Sequence, residues 1–222
     1  MKINYERDVI PVMRLVDVPA FLLVTATNFA PRTVGELIDT VKKNPGRVRY
    51  GTVGVGSYPD YDMALFAKRA GNLELTGIPN RAGAPGAVLD MIMGDTQTAF
   101  LNVASTAAMV KAGKLRALAI VNHARLPEFP DVPTMQEAGF PDVGTIAWQA
   151  MFAPAGTPRE IIDILQKASI QAMQVPAAKK VFAEQNFNIV PTGSVEEAKP
   201  WLAQEIATWS KITQEVKIEV PE

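Results

Sequence analysis

Short apolar runs rich in β-branched residues alternate with capped amphipathic segments along most of this chain, and that alternation restricts the fold more than any total does. The runs are AFLLVTA (20–26), RVRYGTV (47–53), LELTGI (73–78), TQTAFLN (96–102), LRALAIV (115–121), IAWQAMFA (146–153) and FNIVP (187–191). Helix starts fall between them. TVGELIDTV places Thr33 and Glu36 at capping-box spacing, with Val34, Leu37, Ile38 and Val41 on one face. TMQEAG repeats the box with Thr134 and Glu137 before Gly139. TPREIIDIL offers Thr157 as cap, Pro158 at the first helical position and Glu160 to complete the box. Strand and helix at this interval predict βαβ units, a mainly parallel sheet and an α/β fold class.

After FAPAGTP (152–158) the pattern changes and becomes mostly helical, over 158–174, 177–185 and from Val195 to about Lys217. One short strand, FNIVP, cannot bury both faces of such a tail, which therefore needs a sheet to lie on. With no cysteine, the chain can hold neither a disulfide nor a thiolate site. His123 is the single histidine, so a multi-histidine metal site is excluded, and its polar surroundings after a strand read as a loop. A net charge of −1 leaves no basic excess for nucleic acid. No apolar run is long enough to span a bilayer, and the opening MKINYERDVIPV has no signal-peptide h-region.

YGTVGVGSYPDYDMALF (50–66) joins a strand to a helix through three glycines. A dinucleotide fingerprint needs a third glycine after Gly54 and Gly56, and a P-loop needs a Gly-Lys-Ser/Thr; neither is present. What remains fits an anion cradle at a helix N-terminus, with Ser57 as cap, and fits a plain strand–turn–helix connection equally well. IPNRAGAPGAVLDMIMGD (78–95) repeats the design with Arg81 and Gly83, and TAFLN puts Asn102 at a strand end. Ligands of open sheets bind outside the carboxyl ends of the strands. These loops describe a pocket for a small organic acid, without a carboxylate pair, a nucleophile beside a base or a metal cluster. The reading is binding, not catalysis, with no metal and no cofactor.

YGTVGVGSYPDYDMALF, GIPNRAGAPGAVLDMIMGD, VKAGKLRALAI, RLPEFPDVPTMQEAGFPDV and WQAMFAPAGTPREII, in that order, resemble the solute receptors of tripartite tricarboxylate transporters, the Bug-type receptors, from about Tyr5 to Lys217. The resemblance implies a periplasmic-binding-protein-like fold of Venus-flytrap, type II-like form. It implies a periplasmic location, a small carboxylate or amino-acid ligand between two lobes, and delivery to the transporter's membrane permease subunits. The ligand wall would fall on Thr52, Gly54, Val55, Gly56, Ser57, Asp60, Asn80, Arg81, Gly83 and Asn102, with Trp148 on an inter-lobe strand.

The chain departs from the family pattern at four places. Asp60 stands where histidine is usual, Asn80–Arg81 where tyrosine–lysine is usual, and Leu101 where an aspartate precedes Asn102. Asp60 would repel an anion unless Arg81 or the helix end screens it, which favours a ligand with an amine or little charge. The fourth departure is that family members carry about a third of a mature chain before the segment equivalent to YERDVIPV. The expectation is one complete lobe, 18–146, with 1–17 and 147–222 as crossover strands and a helical remnant of the other. That remnant would leave an apolar stripe exposed to a partner or a second copy. The alternative is a truncated receptor that acts as an interaction module or has no ligand function.

Overall fold

The computed structural model describes residues 3–218, and these divide into two units, 19–146 with 212–218 and 3–18 with 147–211. In the larger unit β2 (Ala20–Thr25), β3 (Arg49–Thr52), β4 (Thr76–Pro79), β5 (Thr98–Asn102) and β6 (Leu115–Val121) form one sheet in the order β4-β3-β5-β2-β6. Its helices are α1 (Val34–Lys43), α2 (Tyr58–Arg69), α3 (Gly83–Met93) and α4 (Val103–Lys111). β3 runs parallel to β4 and β5, but β2 is antiparallel to both β5 and β6. The expectation of a mainly parallel sheet is corrected to this extent: four strands share a direction, and the inserted fifth makes two of the four ladders antiparallel. β2 enters at the edge where β3, β4 and β5 end, pairing Ala20 with Asn102, so it can only run the other way.

Every residue of β2 is buried, as a strand with both faces covered must be. Ala20, Leu22 and Val24 pack with Val34, Leu37 and Val41 of α1 and Met63 and Phe66 of α2. Phe21 and Leu23 face the opposite way, into Ala87, Val88 and Met91 of α3 and Val103 of α4. Period-two alternation therefore assigns two helices to each face. Leu101, where the resemblance leads one to expect an aspartate, is fully buried in the second cluster.

The helix-start signals are realised unevenly. At α1 the Thr33 hydroxyl accepts from the Glu36 amide at 3.1 Å, and the Glu36 carboxylate accepts from the Arg32 amide at 2.7 Å. Thr134 and Glu137 also complete their reciprocal box, at 3.1 and 2.7 Å, yet the helix expected there is a single turn. Gly139, at φ +91°, stops it, and Phe140 turns back to meet Phe66 edge-on.

In the smaller unit β1 (Val9–Val18) lies between β7 (Ala147–Pro154) and the two-residue β8 (Asn188–Ile189), antiparallel to both. Two bulges interrupt the β1–β7 ladder, skipping Val12 and Leu15. Each freed carbonyl finds a donor: Gln166 Nε2 reaches Val12 O at 3.0 Å, and Val190 N reaches Leu15 O at 3.1 Å. The helices are α5 (Arg159–Gln174), α6 (Pro176–Glu184) and α7 (Val195–Glu215). The expected Thr157 cap is corrected. The Thr157 hydroxyl donates to the Pro154 carbonyl at 2.8 Å, so Pro158 takes the cap position of α5 with no side-chain cap bond. α6 has no buried residue, and Ile161, Ile164, Val175, Val181 and Ile189 are exposed along α5, α6 and β8.

Candidate functional site

At one edge of the larger sheet β3, β4 and β5 end at Thr52, Pro79 and Asn102, and α2, α3 and α4 begin just beyond. Asn80 N donates to Thr52 O at 2.9 Å and Val103 N to Pro19 O at 2.9 Å, so neighbouring strand ends are tied to one another. Three helix N-termini on one edge give it the positive end of three helix dipoles.

The glycine loop is wired more heavily inward than its sequence suggests. Gly54 and Gly56 take φ of +141° and +75°, values a side chain would oppose. Thr52 Oγ1 lies 2.8 Å from Ser57 Oγ, and both hydroxyls donate to the Gly54 carbonyl, at 2.9 and 2.6 Å. The expectation that Ser57 caps α2 is therefore corrected: it occupies the cap position, but its hydroxyl is spent on the loop. Asp60 is also redirected. Only 5 % exposed, it accepts from Tyr50 Oη at 2.7 Å and from the Gly56 amide at 2.9 Å. Its carboxylate braces the loop from within, and Gly56 N–H is occupied by Asp60 instead of being offered to a ligand. Burial and the neighbouring Asp60 carboxylate raise the Tyr50 phenol well above its ordinary value.

Val55, 40 % exposed, sits at the tip of the loop, and among the described residues its amide has no acceptor. Asn80 has both ends of its side-chain amide engaged within the turn. Its Oδ1 accepts from Ala82 N at 2.8 Å and its Nδ2 donates to Asp90 at 2.7 Å. The turn it makes needs Gly86, since a Cβ there would collide with the Asn80 amide. Gly83, at φ +70°, opens α3 with no side-chain cap bond beneath it. Arg81 is exposed beside it, and among the described residues its guanidinium has no hydrogen-bond or ion-pair partner. Asn102 caps α4 through Oδ1, accepting from Ser105 N at 2.8 Å.

Tyr58 was not singled out from the sequence. It occupies the first turn of α2 with its hydroxyl against the side chain and backbone of Asn102, so it links the glycine loop to the end of β5. Burial, then the Asp62 carboxyl, pushes its phenol up to about 12. An aromatic residue between the loop serine and Pro59 was the available signal. Trp148 is not brought to this edge within the larger unit. It lies on β7 of the smaller one, its indole N–H donating to Glu205 at 2.8 Å and its ring edge-on to Trp201 at 4.7 Å. His123 is exposed after β6, and among the described residues no group of His, Cys, Asp or Glu is placed to hold a metal ion.

The edge thus offers a bare guanidinium, a loop amide and three helix N-termini, a donor-rich surface suited to an anion. The chain is 32 % identical over 208 residues to the protein BugT of Bordetella pertussis, covering 94 % of this chain and 63 % of that one. It is 31 % identical over 215 residues to a protein in the tcbD-tcbE intergenic region of Pseudomonas sp. (strain P51), covering 96 % and 62 %. The chain thus spans under two thirds of the length of these curated relatives. Among solved structures, R. palustris Rpa4515 with adipate superposes with a TM-score of 0.87 at 26 % identity, covering 99 % of this chain and 72 % of that one. A TctC solute-binding protein from Polaromonas, without ligand, gives 0.78 at 26 %, covering 97 % and 72 %. The profile of the tripartite tricarboxylate transporter family receptor matches residues 1–218, and the chain belongs to that family of receptors.

Proposed function

We propose that this protein serves as an extracytoplasmic solute-binding protein of a tripartite tricarboxylate transporter, handing a small carboxylate or amino-acid-like ligand to the membrane permease subunits. The observation that carries the reading is the Arg81 guanidinium, without an ion-pair or hydrogen-bond partner among the described residues, on an edge where α2, α3 and α4 all begin. A guanidinium matches a carboxylate in a two-point fork, and helix N-termini favour the same charge. The adipate held by the R. palustris relative makes a dicarboxylate the first ligand class to try. Asp60 no longer argues for an amine-bearing ligand, because its oxygens accept from Tyr50 and Gly56.

The test is isothermal titration of the protein with C4–C6 dicarboxylates, aromatic acids and amino acids. One of these binds, and Arg81→Ala weakens it about tenfold or more, as loss of a charge-assisted pair should. No heat from any member of the panel would sink the proposal, as would an Arg81→Ala variant that binds with undiminished affinity.

A second reading, self-association through the smaller unit, is favoured by α6, which buries no residue, and by the exposed Ile161, Ile164, Val175, Val181 and Ile189. Sedimentation should then show a concentration-dependent dimer that Ile164→Asp abolishes. A monomer at all concentrations would count against it.

A further inference from the structure

Asp62, on α2, is 0 % exposed, and its two oxygens have different fates. Oδ1 accepts from both the amide and the hydroxyl of Thr145, at 2.9 and 3.0 Å. Oδ2 is equally buried and has no hydrogen-bond partner among the described residues. A buried polar oxygen without a donor is uncommon and costly when the group is charged. Thr145 belongs to residues 143–146, the stretch by which the chain leaves the larger unit before β7 begins at Ala147. That stretch is otherwise placed by Val143, which is buried in the core, and by Gly144, at φ +94°, where any Cβ would run into Val121. The Val143 amide also donates to the Phe140 carbonyl at 3.2 Å, and among the described residues Asp62 is the side chain that fixes the backbone of the stretch by hydrogen bonds.

We propose that Asp62 is a proton-controlled latch on residues 143–146, holding Thr145 while its carboxyl is neutral and releasing the stretch to water when it ionises. Neutral, Oδ2 carries an uncharged O–H, whose burial without a partner costs far less than burial of the charge. Ionised, Oδ2 needs a donor that the fold does not supply, and admitting water requires the covering stretch to give way. Burial pushes this carboxyl up to about 8, against the opposing pull of the two Thr145 hydrogen bonds. The titratable group facing it from α2 is Tyr58, whose phenol stays neutral over the same range. Thr145, facing it from the other side, does not titrate. Asp142, just before the stretch, is turned outward to Arg69 at 3.7 Å. No cation is among the causes acting on Asp62.

The test is amide hydrogen exchange on the whole chain at pH 6 and pH 9, expressed as protection factors so that intrinsic base catalysis cancels. In the wild type the Thr145 amide loses about tenfold or more of its protection at the higher pH while Phe66, in the core of α2, loses less. In Asp62→Asn, which keeps the acceptor oxygen, Thr145 protection is the same at both values. Wild-type protection that does not change, or an equal fall in the variant, overturns the proposal. A measurement on the wild type alone guards against a variant that does not fold: the Asp62 carboxyl carbon and the Thr145 amide should titrate together near pH 8. An Asp62 midpoint below pH 5, or a Thr145 shift without one from Asp62, overturns it equally.

Discussion

Replacing Asp60 by alanine separates a ligand-facing carboxylate from a loop brace. The structure makes it a brace, with Tyr50 Oη at 2.7 Å and Gly56 N at 2.9 Å as its two donors. Asp60→Ala leaves both donors without an acceptor in a site where Asp60 itself is 5 % exposed. An orphaned buried donor costs about 1–3 kcal/mol, but Tyr50 and Gly56 are only half-buried and water meets part of the loss, so the variant should lose about 1–3 kcal/mol of stability in all. Tyr50→Phe removes one donor and leaves Asp60 its bond to Gly56, for a loss nearer ~1 kcal/mol. The double variant should then be less destabilised than the sum, with a coupling of at least ~0.5 kcal/mol. All three tryptophans lie between residues 147 and 211, so their fluorescence reports the smaller unit. Hydrogen exchange of the buried β2 amides is the appropriate assay for the larger one. If Asp60→Ala stays within ~0.5 kcal/mol of the wild type while altering ligand affinity, the carboxylate faces the ligand and the wiring described above is wrong.

Asp62 also predicts how stability depends on pH. Its folded value, about 8, lies above the 3.8 of an exposed aspartate. The folded state therefore holds a proton that the unfolded state has released. Its contribution is fully present below about pH 4 and declines as pH rises, by roughly 1.4 kcal/mol per unit, until about pH 8. Denaturant titrations of wild type and Asp62→Asn at several pH values should differ by that slope, and parallel curves would refute it. Phe66→Ala should cost about 3–5 kcal/mol, because the ring is fully buried and meets Phe100 and Phe140 edge-on at 6.2 and 5.4 Å. A loss below ~1 kcal/mol in chemical denaturation would show that this part of the core is not close-packed.

Most strands and several helices of this fold are legible because burial writes its period directly into the residues, whereas β1, broken by two bulges, is not among the runs that alternation picks out. Leu37, Val41, Leu22 and Val24 lie in one cluster where their spacing puts them. The direction of β2 is not legible, because AFLLVTA is buried on both faces and a run without alternation carries no sign of which way its neighbours point. The length of the Thr134 helix is hidden for a different reason. A capping box satisfies the first amides of a helix but says nothing about its continuation, which here yields to Phe140 entering the core. The loops that carry the candidate site could be located from glycine and strand-end positions. Their wiring could not, since whether Asp60 points in or out depends on where Tyr50 lies on the adjacent strand.

The same geometry settles an apparent conflict in the sequence SYPDYD. Two carboxylates at the head of α2 should spoil an anion site built on that helix's N-terminus. Residues 58 and 62 are four apart and share a helix face, while residue 60 lies almost opposite them. Tyr58 and Asp62 accordingly turn toward Asn102 and Thr145, and Asp60 turns toward Tyr50. Asp60 then has its charge met by two donors, and Asp62 is neutral below about pH 8. Neither acid is presented at the loop tip where Val55 is exposed, nor beside Arg81. The edge stays favourable to an anion at neutral pH because both acids are spent inside the fold. Above about pH 8 Asp62 adds a negative charge behind Tyr58, so anion affinity should fall there in the wild type and hold in Asp62→Asn.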